Sequence, residues 1–128
     1  EAVTLGQRLA VAPRAARMGG TAISAALLFG GALMVLAPAA TRRVIDLSTD
    51  GRNNMGKPAF RARDELVARG ITVNGLAIAN EWPTLDIYLE RQVAGGPSNF
   101  VVKADSYDDF GAAMKRKLIR EITGPGLT

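Results

Sequence analysis

The segment RRVIDLSTDGRNN, residues 42–54, decides the fold that this sequence predicts. Its branched apolar residues Val44, Ile45 and Leu47 indicate a strand over 43–47 that is buried on both faces. A turn rich in hydroxyl, carboxylate and amide oxygens follows this strand directly. In open α/β sheets, ligands bind outside the carboxyl ends of the strands. We therefore expect chemistry at this turn, where hard oxygen donors favour magnesium, calcium or manganese over zinc or copper.

Helices and strands alternate along the rest of the chain with short connections. Helices are predicted over 21–36, 57–69, 84–93 and 106–122, and strands over 71–78 and 100–102. Thr21 is the predicted N-cap of the first helix, Gly70 ends the second, and Gly95-Gly96-Pro97 ends the third. Residues 3–11 resemble the end of a further helix. This order predicts an α/β fold with three layers, in which helices cover both faces of a doubly wound, mostly parallel sheet.

The spacing of apolar residues predicts which side chains of these helices face the core. The inward residues are Phe60, Leu66 and Val67 in the second helix, Leu85, Tyr88 and Leu89 in the third, and Phe110, Met114, Leu118 and Ile122 in the last.

Composition excludes several classes of function. The 128 residues suit one domain, and they include neither cysteine nor histidine, so thiol, imidazole and zinc chemistry are excluded. The net charge of +4 is spread along the chain, and the seven aromatics do not lie among the basic residues, so we expect no nucleic-acid partner. The uncharged run over 21–37 contains glycines and ends at Pro38, which predicts a buried helix and no transmembrane segment.

Catalytic motifs give no support for an enzyme. The sequence has no phosphate-binding P-loop, no dinucleotide-binding glycine pattern and no nucleophile elbow, and we predict no catalytic residue. The Asp46-x-Ser48-x-Asp50 spacing imitates a calcium loop, but Lys57 stands at the twelfth position, where that loop needs a bidentate carboxylate. Glu81 and Asp86 are interpreted as a surface charge and an acid in the first turn of a helix.

Four segments in the same order carry a family resemblance. They are GGTAISAALLF, RRVIDLSTDGRNNMG, ARDELVARGITVNGLAI and GGPSNFVVKADSYDDFGAAMKRKL. Together they resemble the C-terminal part of the von Willebrand factor type A fold and, more closely, an uncharacterised bacterial family of type A-like proteins. The resemblance covers nearly the whole chain and implies a single, partial type A-like domain over 1–128.

The resemblance also implies a site for a divalent cation such as Mg²⁺. Type A domains hold the cation with three loops, and two of them have counterparts here, in Thr21 after the glycine pair and in Asp50 after the first strand. Ser48, Gly51 and Asn53 are possible supporting residues in the same turn. The first loop would lie before Glu1, so we expect this chain to be a fragment that binds metal weakly.

Three functions are compatible with this resemblance. The first is a protein-interaction module whose cation accepts an acidic side chain of a protein partner. The second is a metal-independent scaffold, and the third is a metal-dependent hydrolase at the same crevice. The family resemblance implies an extracytoplasmic location, and a sheet that lacks strands should expose apolar edges and self-associate.

Overall fold

The computed structural model describes residues 21–123, which form a parallel sheet and four helices. In chain order the elements are α1 (Ile23–Leu36), β1 (Arg43–Thr49), α2 (Ala59–Ala68), β2 (Ile71–Ile78), α3 (Leu85–Gln92), β3 (Val101–Ala104) and α4 (Phe110–Thr123). The three strands lie in the order β1-β2-β3, and both neighbouring pairs are parallel. The predicted α/β fold is confirmed, whereas the helix end predicted over residues 3–11 lies outside the described residues.

β2 is the centre of the sheet, and all eight of its residues are buried. β1 pairs with β2 along its whole length, but β3 pairs with β2 only from Gly75 onward. In the first half of β2, Gly95 takes the place of a paired strand. It exchanges two backbone hydrogen bonds with Val73, at 2.9 and 3.1 Å. At Gly96 φ is +89°, and a Cβ there would lie 2.9 Å from the Cα of Thr72. Glycine is therefore required where this segment turns along the strand.

Alternate residues of β2 face opposite sides of the sheet, and the two sides have different covers. Val73 and Ala77 pack in a large core with buried residues of α1, α2 and α3, among them Leu27, Leu66 and Leu89. α1 and α2 approach closely, because a Cβ on Gly31 would lie 2.4 Å from the side chain of Leu66. Three helices thus cover this face within residues 21–123.

The opposite face is covered by α4, and its core is smaller. Leu76, Ile78, Ala104 and Ala113 form that core. The largest buried side chain on α4 is Lys117, whose Nζ lies 2.6 Å from a carboxylate oxygen of Asp46 on β1.

A polar network continues from this ion pair along the same face. The amide of Asn74 donates to Glu121 at 2.6 Å and accepts from the backbone N–H of Phe100 at 3.0 Å. Glu121 also pairs with Arg42 at 2.9 Å. Lys117 and Asn74, two buried polar residues on this face, are therefore both partnered, as a stable core requires.

Several predictions of burial were wrong. β1, the edge strand of the described sheet, is not buried on both faces, because Arg43, Asp46 and Ser48 are exposed. Phe60 lies on the exposed side of α2, where Ala59 and Ala62 are buried with Leu66.

The last helix also differs from its prediction. It begins at Phe110 rather than near Ser106, and Leu118 and Ile122 are exposed. Ala113 and Lys117 are its buried residues, because a small side chain permits close approach and the lysine stem is apolar along most of its length.

Helix ends were predicted with mixed success. Gly70 follows α2 with φ at +78°, as expected for a glycine just past a helix end. Thr21 does not cap α1, since the N-cap is Ala22, which makes no side-chain capping hydrogen bond. Within residues 21–123, no helix has both the length and the apolar character needed to cross a membrane.

Candidate functional site

An open groove of about 460 Å³ lies at the carboxyl edge of the sheet, between the start of α1 and the ends of β1 and β2. Its lining residues are Thr21, Ala22, Ile23, Ala26, Leu47, Ser48, Thr49, Asp50, Ile78 and Tyr107. The apolar floor and the polar rim come from elements distant in the sequence. This is the crevice in which ligands of open α/β sheets bind.

Reciprocal hydrogen bonds tie the start of α1 to the turn after β1. The backbone N–H of Thr21 donates to the side-chain oxygen of Asn54, and the N–H of Asn54 donates to the carbonyl of Thr21, both at 2.9 Å. The N–H of Ser24 donates to the side-chain oxygen of Asn53 at 3.2 Å. The side-chain oxygens of Asn53 and Asn54 therefore accept backbone N–H groups at the start of α1. The sequence had predicted that the Thr21 hydroxyl would do so.

Thr21 and Asp50 line the same groove as a result of this connection. Gly51 permits the close approach, because a Cβ there would lie 3.2 Å from the hydroxyl of Thr21. Ser48 lies in the groove on the exposed side of β1. The structure thus brings together four of the five residues named from the sequence, and their role as cation ligands stays a prediction.

Asn53, the fifth of these residues, has a structural position. Its amide donates to the carbonyl of Lys57 at 3.0 Å, and its backbone N–H donates to the hydroxyl of Tyr88 at 3.1 Å. These bonds, together with the one from Ser24, fix the turn between β1 and α2. Asn53 is not among the lining residues of the groove.

Tyr107 spans the groove from the loop after β3. Its phenol donates to the carboxylate of Asp50, across the end of the central strand. This hydrogen bond is the main reason that the pKa of Tyr107 lies above 10.0, and burial and the negative charges of Asp50 and Glu81 raise it further. The phenol is consequently neutral at physiological pH and shields one oxygen of Asp50.

A second cluster surrounds Arg52 in the turn after β1. The guanidinium carbon lies 5.3 Å from the ring centre of Trp82 and 5.7 Å from that of Tyr88. One guanidinium N–H donates to the hydroxyl of Thr84 at 3.3 Å. Sequence reasoning missed both this cluster and Tyr107, although the loops after β1, β2 and β3 must emerge at one edge of a parallel sheet.

The carboxylates Glu81 and Asp86 do not line the groove. Asp86 lies in the first turn of α3, as predicted, and 3.8 Å separates it from the Nζ of Lys103. That ammonium also donates to the carbonyl of Pro83 at 2.8 Å. Asp86 thus belongs to a charge pair at the loop before α3.

The donors of the groove do not fit a self-sufficient divalent-cation site. Asp50 is the one carboxylate in the lining, and one of its oxygens already accepts the Tyr107 phenol. In residues 21–123 no group of three or more acidic, histidine or cysteine side chains could hold a metal ion. Magnesium needs near-octahedral oxygen coordination, and one shared carboxylate with the hydroxyls of Thr21 and Ser48 supplies too little of it.

Comparison with protein families gives a match that covers residues 1–126. The matching family is described as Protein of unknown function (DUF1194). The chain belongs to this family. The prediction of an uncharacterised family is therefore confirmed, whereas the similarity to type A domains stays a prediction. No significantly similar curated protein and no significantly similar solved structure was found.

Proposed function

We infer that this member of the DUF1194 family is a protein-interaction module that binds its partner at the carboxyl edge of the sheet. One observation carries the proposal: loops following all three strands meet there and present exposed Trp82 and Tyr107 beside the groove. Tryptophan, tyrosine and arginine are the residues most enriched among those that dominate binding energy. The groove supplies the concave surface into which a partner side chain can insert.

The resemblance to type A domains supports the same reading. It assigns binding to this edge and gives Thr21 and Asp50 a role in holding a divalent cation. In this chain the cation would need oxygen donors beyond those of the groove. An extracytoplasmic location is likewise a prediction that follows from the resemblance.

Two alternatives differ in what they require of Asp50. A metal-independent scaffold would bind its partner through the loops alone, without the Asp50 carboxylate. A metal-dependent hydrolase has the least support, because no second carboxylate lines the groove and the existing one is hydrogen-bonded to Tyr107.

Partner capture with matched variants tests the proposal. Proteins from a native extract are captured on the immobilised 128-residue chain and identified by mass spectrometry, in parallel with Tyr107→Ala, Asp50→Ala and Asp64→Ala. We expect partners retained by the unchanged chain and by Asp64→Ala to be lost from Tyr107→Ala. Retention of these partners by Asp50→Ala would favour the metal-independent scaffold. Equal capture by all four proteins would contradict binding at this edge.

Calorimetric titration with magnesium or manganese chloride tests the metal prediction separately. We expect a dissociation constant weaker than about 1 mM, because the single shared carboxylate cannot replace the hydration shell of the ion. Micromolar binding that disappears in Asp50→Ala would show that the groove is a more complete site than its donors indicate.

A further inference from the structure

We propose that the guanidinium of Arg52 binds a carboxylate of the partner, so that the segment recognised at this edge is an acidic peptide with a neighbouring apolar side chain. The inference deepens the proposed function and rests on it. It requires no metal ion, since the cation that attracts the acidic partner is part of the chain.

The geometry of the cluster holds the guanidinium in place before a partner arrives. Trp82 and Tyr88 each present a ring within 6 Å of it, the range of a favourable cation–π contact, and Thr84 accepts one N–H. Tyr88 is itself fixed, because its hydroxyl accepts the backbone N–H of Asn53. A planar group held in this way loses little conformational freedom on binding a ligand.

The charge of Arg52 is available to a partner. Five other cations pair with carboxylates in the described part of the chain, namely Arg42, Lys57, Arg63, Lys103 and Lys117. Within residues 21–123, no carboxylate lies within ion-pair distance of Arg52. Its fork of N–H donors matches the two oxygens of a carboxylate, and one of those donors is used by Thr84.

The surroundings favour an acidic peptide over a nucleic acid. Trp82 is 48% exposed and lies against Arg52, so an apolar side chain next to the acid has a surface to contact. A hollow of about 380 Å³ also opens beside Tyr88. Asp50 and Glu81 act together on Tyr107 and place negative charge at the same edge. They repel an extended phosphate backbone more strongly than a single carboxylate, because the backbone carries a charge at every nucleotide.

Selection from a library of random phage-displayed peptides tests this proposal on the full 128-residue chain. Binders are sequenced, synthesised with a fluorescent label and titrated by anisotropy against the unchanged chain and four variants, one of which is Arg52→Lys. Arg52→Gln removes the cation, Tyr107→Ala removes a groove contact, and Arg61→Gln is the matched control. Arg61 is an exposed residue of α2, and its replacement makes the same change of charge outside the Arg52 cluster. Thermal unfolding confirms that each variant is folded.

We expect the selected peptides to be enriched in aspartate or glutamate beside an apolar residue. Arg52→Gln should weaken the binding of these peptides about tenfold or more, because a charge-assisted hydrogen-bonded pair is lost. Arg61→Gln should leave their affinity unchanged. Arg52→Lys should restore little of the lost affinity, since an ammonium cannot form the two parallel hydrogen bonds.

The outcomes separate this proposal from the function on which it rests. Peptides that lose affinity in Tyr107→Ala but bind Arg52→Gln normally would contradict the Arg52 assignment and leave the interaction edge intact. Peptides unaffected by either variant, or a library without binders, would contradict both. Tight binding of a labelled single-stranded oligonucleotide that depends on Arg52 would overturn the choice of a peptide partner.

Discussion

β1 and β2 pair from Arg43↔Ile71 to Thr49↔Ala77, yet their surroundings are opposite. Every residue of β2 is buried, whereas β1 has none that is fully buried. β2 has a neighbouring strand on each side and helices over both faces, while β1 is the edge of the described sheet. A strand with an apolar sequence is therefore buried only where neighbouring strands and helices cover it. This difference in cover also explains why side chains of β1, namely Leu47, Ser48 and Thr49, are accessible in the groove.

The largest expected difference between the strands concerns their packing. Leu89→Ala, beneath β2, should lower the free energy of unfolding by about 2–5 kcal/mol, because Leu89 is fully buried and its removal leaves a cavity. Leu47→Ala, on half-buried β1, should cost about 1 kcal/mol. Urea unfolding followed by circular dichroism measures both. Equal losses would contradict the different burial of the two strands.

A smaller effect is expected at the ion pair that joins β1 to α4. Asp46→Asn should destabilise the protein by about 2–3 kcal/mol, because the buried ammonium of Lys117 loses its charged partner. Asp64→Asn is the control, since it breaks the ion pair with Arg63 at an exposed aspartate and should cost less than about 1 kcal/mol. The same unfolding measurement compares them, and similar values would mean that water replaces Asp46 readily.

The outer edge of β1, which has no partner strand within residues 21–123, should promote self-association. Phe29, Leu33 and Leu36 form an exposed apolar stripe on α1, the helix that packs against β1. Replacing Phe29 and Leu33 with serine should weaken association about tenfold or more in analytical ultracentrifugation, because apolar contact area is removed. The control replaces exposed Leu118 and Ile119 of α4 with serine. A chain that stays monomeric at high concentration would show that the edge is protected.

The smallest effect concerns the hydrogen bond across the carboxyl edge. Tyr107 should ionise above pH 10.0 in the folded chain, and Asp50→Asn should lower that pKa because the charged acceptor is removed. A raised pKa in the folded state favours the neutral phenol, so its contribution to stability is present below pH 10 and is lost as pH rises through the folded pKa. Ultraviolet absorbance measures the titration, with Tyr107→Phe identifying the signal. An unchanged pKa in Asp50→Asn would mean that the contact is absent in solution.

Local sequence signals predicted most elements and their order. Gly70 and the Gly95-Gly96-Pro97 break marked helix ends correctly, because glycine adopts conformations that end a helix. The inward residues of α3 were also predicted, since Leu85 and Leu89 are fully buried. In α4, Phe110 and Met114 pack against the core as predicted. Ala113 and Lys117, its buried residues, were not predicted, because neither carries a strong apolar signal.

The candidate site was predicted in part. The oxygen-rich turn after β1 identified Ser48 and Asp50, and the family resemblance added Thr21. Tyr107 and Trp82 belong to loops that are distant in sequence, and nothing local indicates that they approach this turn. They could have been found by following every predicted strand to its carboxyl end, since parallel strands end at one edge.

The sequence by itself determined the alternation of helices and strands, the α/β class and the polar turn after the first strand, because these depend on residue periodicity and turn chemistry. The tertiary structure alone decided which strand is central, how Asn54 connects Thr21 to the turn, and where Tyr107 and Arg52 lie relative to Asp50. Those relations depend on packing between segments far apart in the chain, which local patterns do not encode.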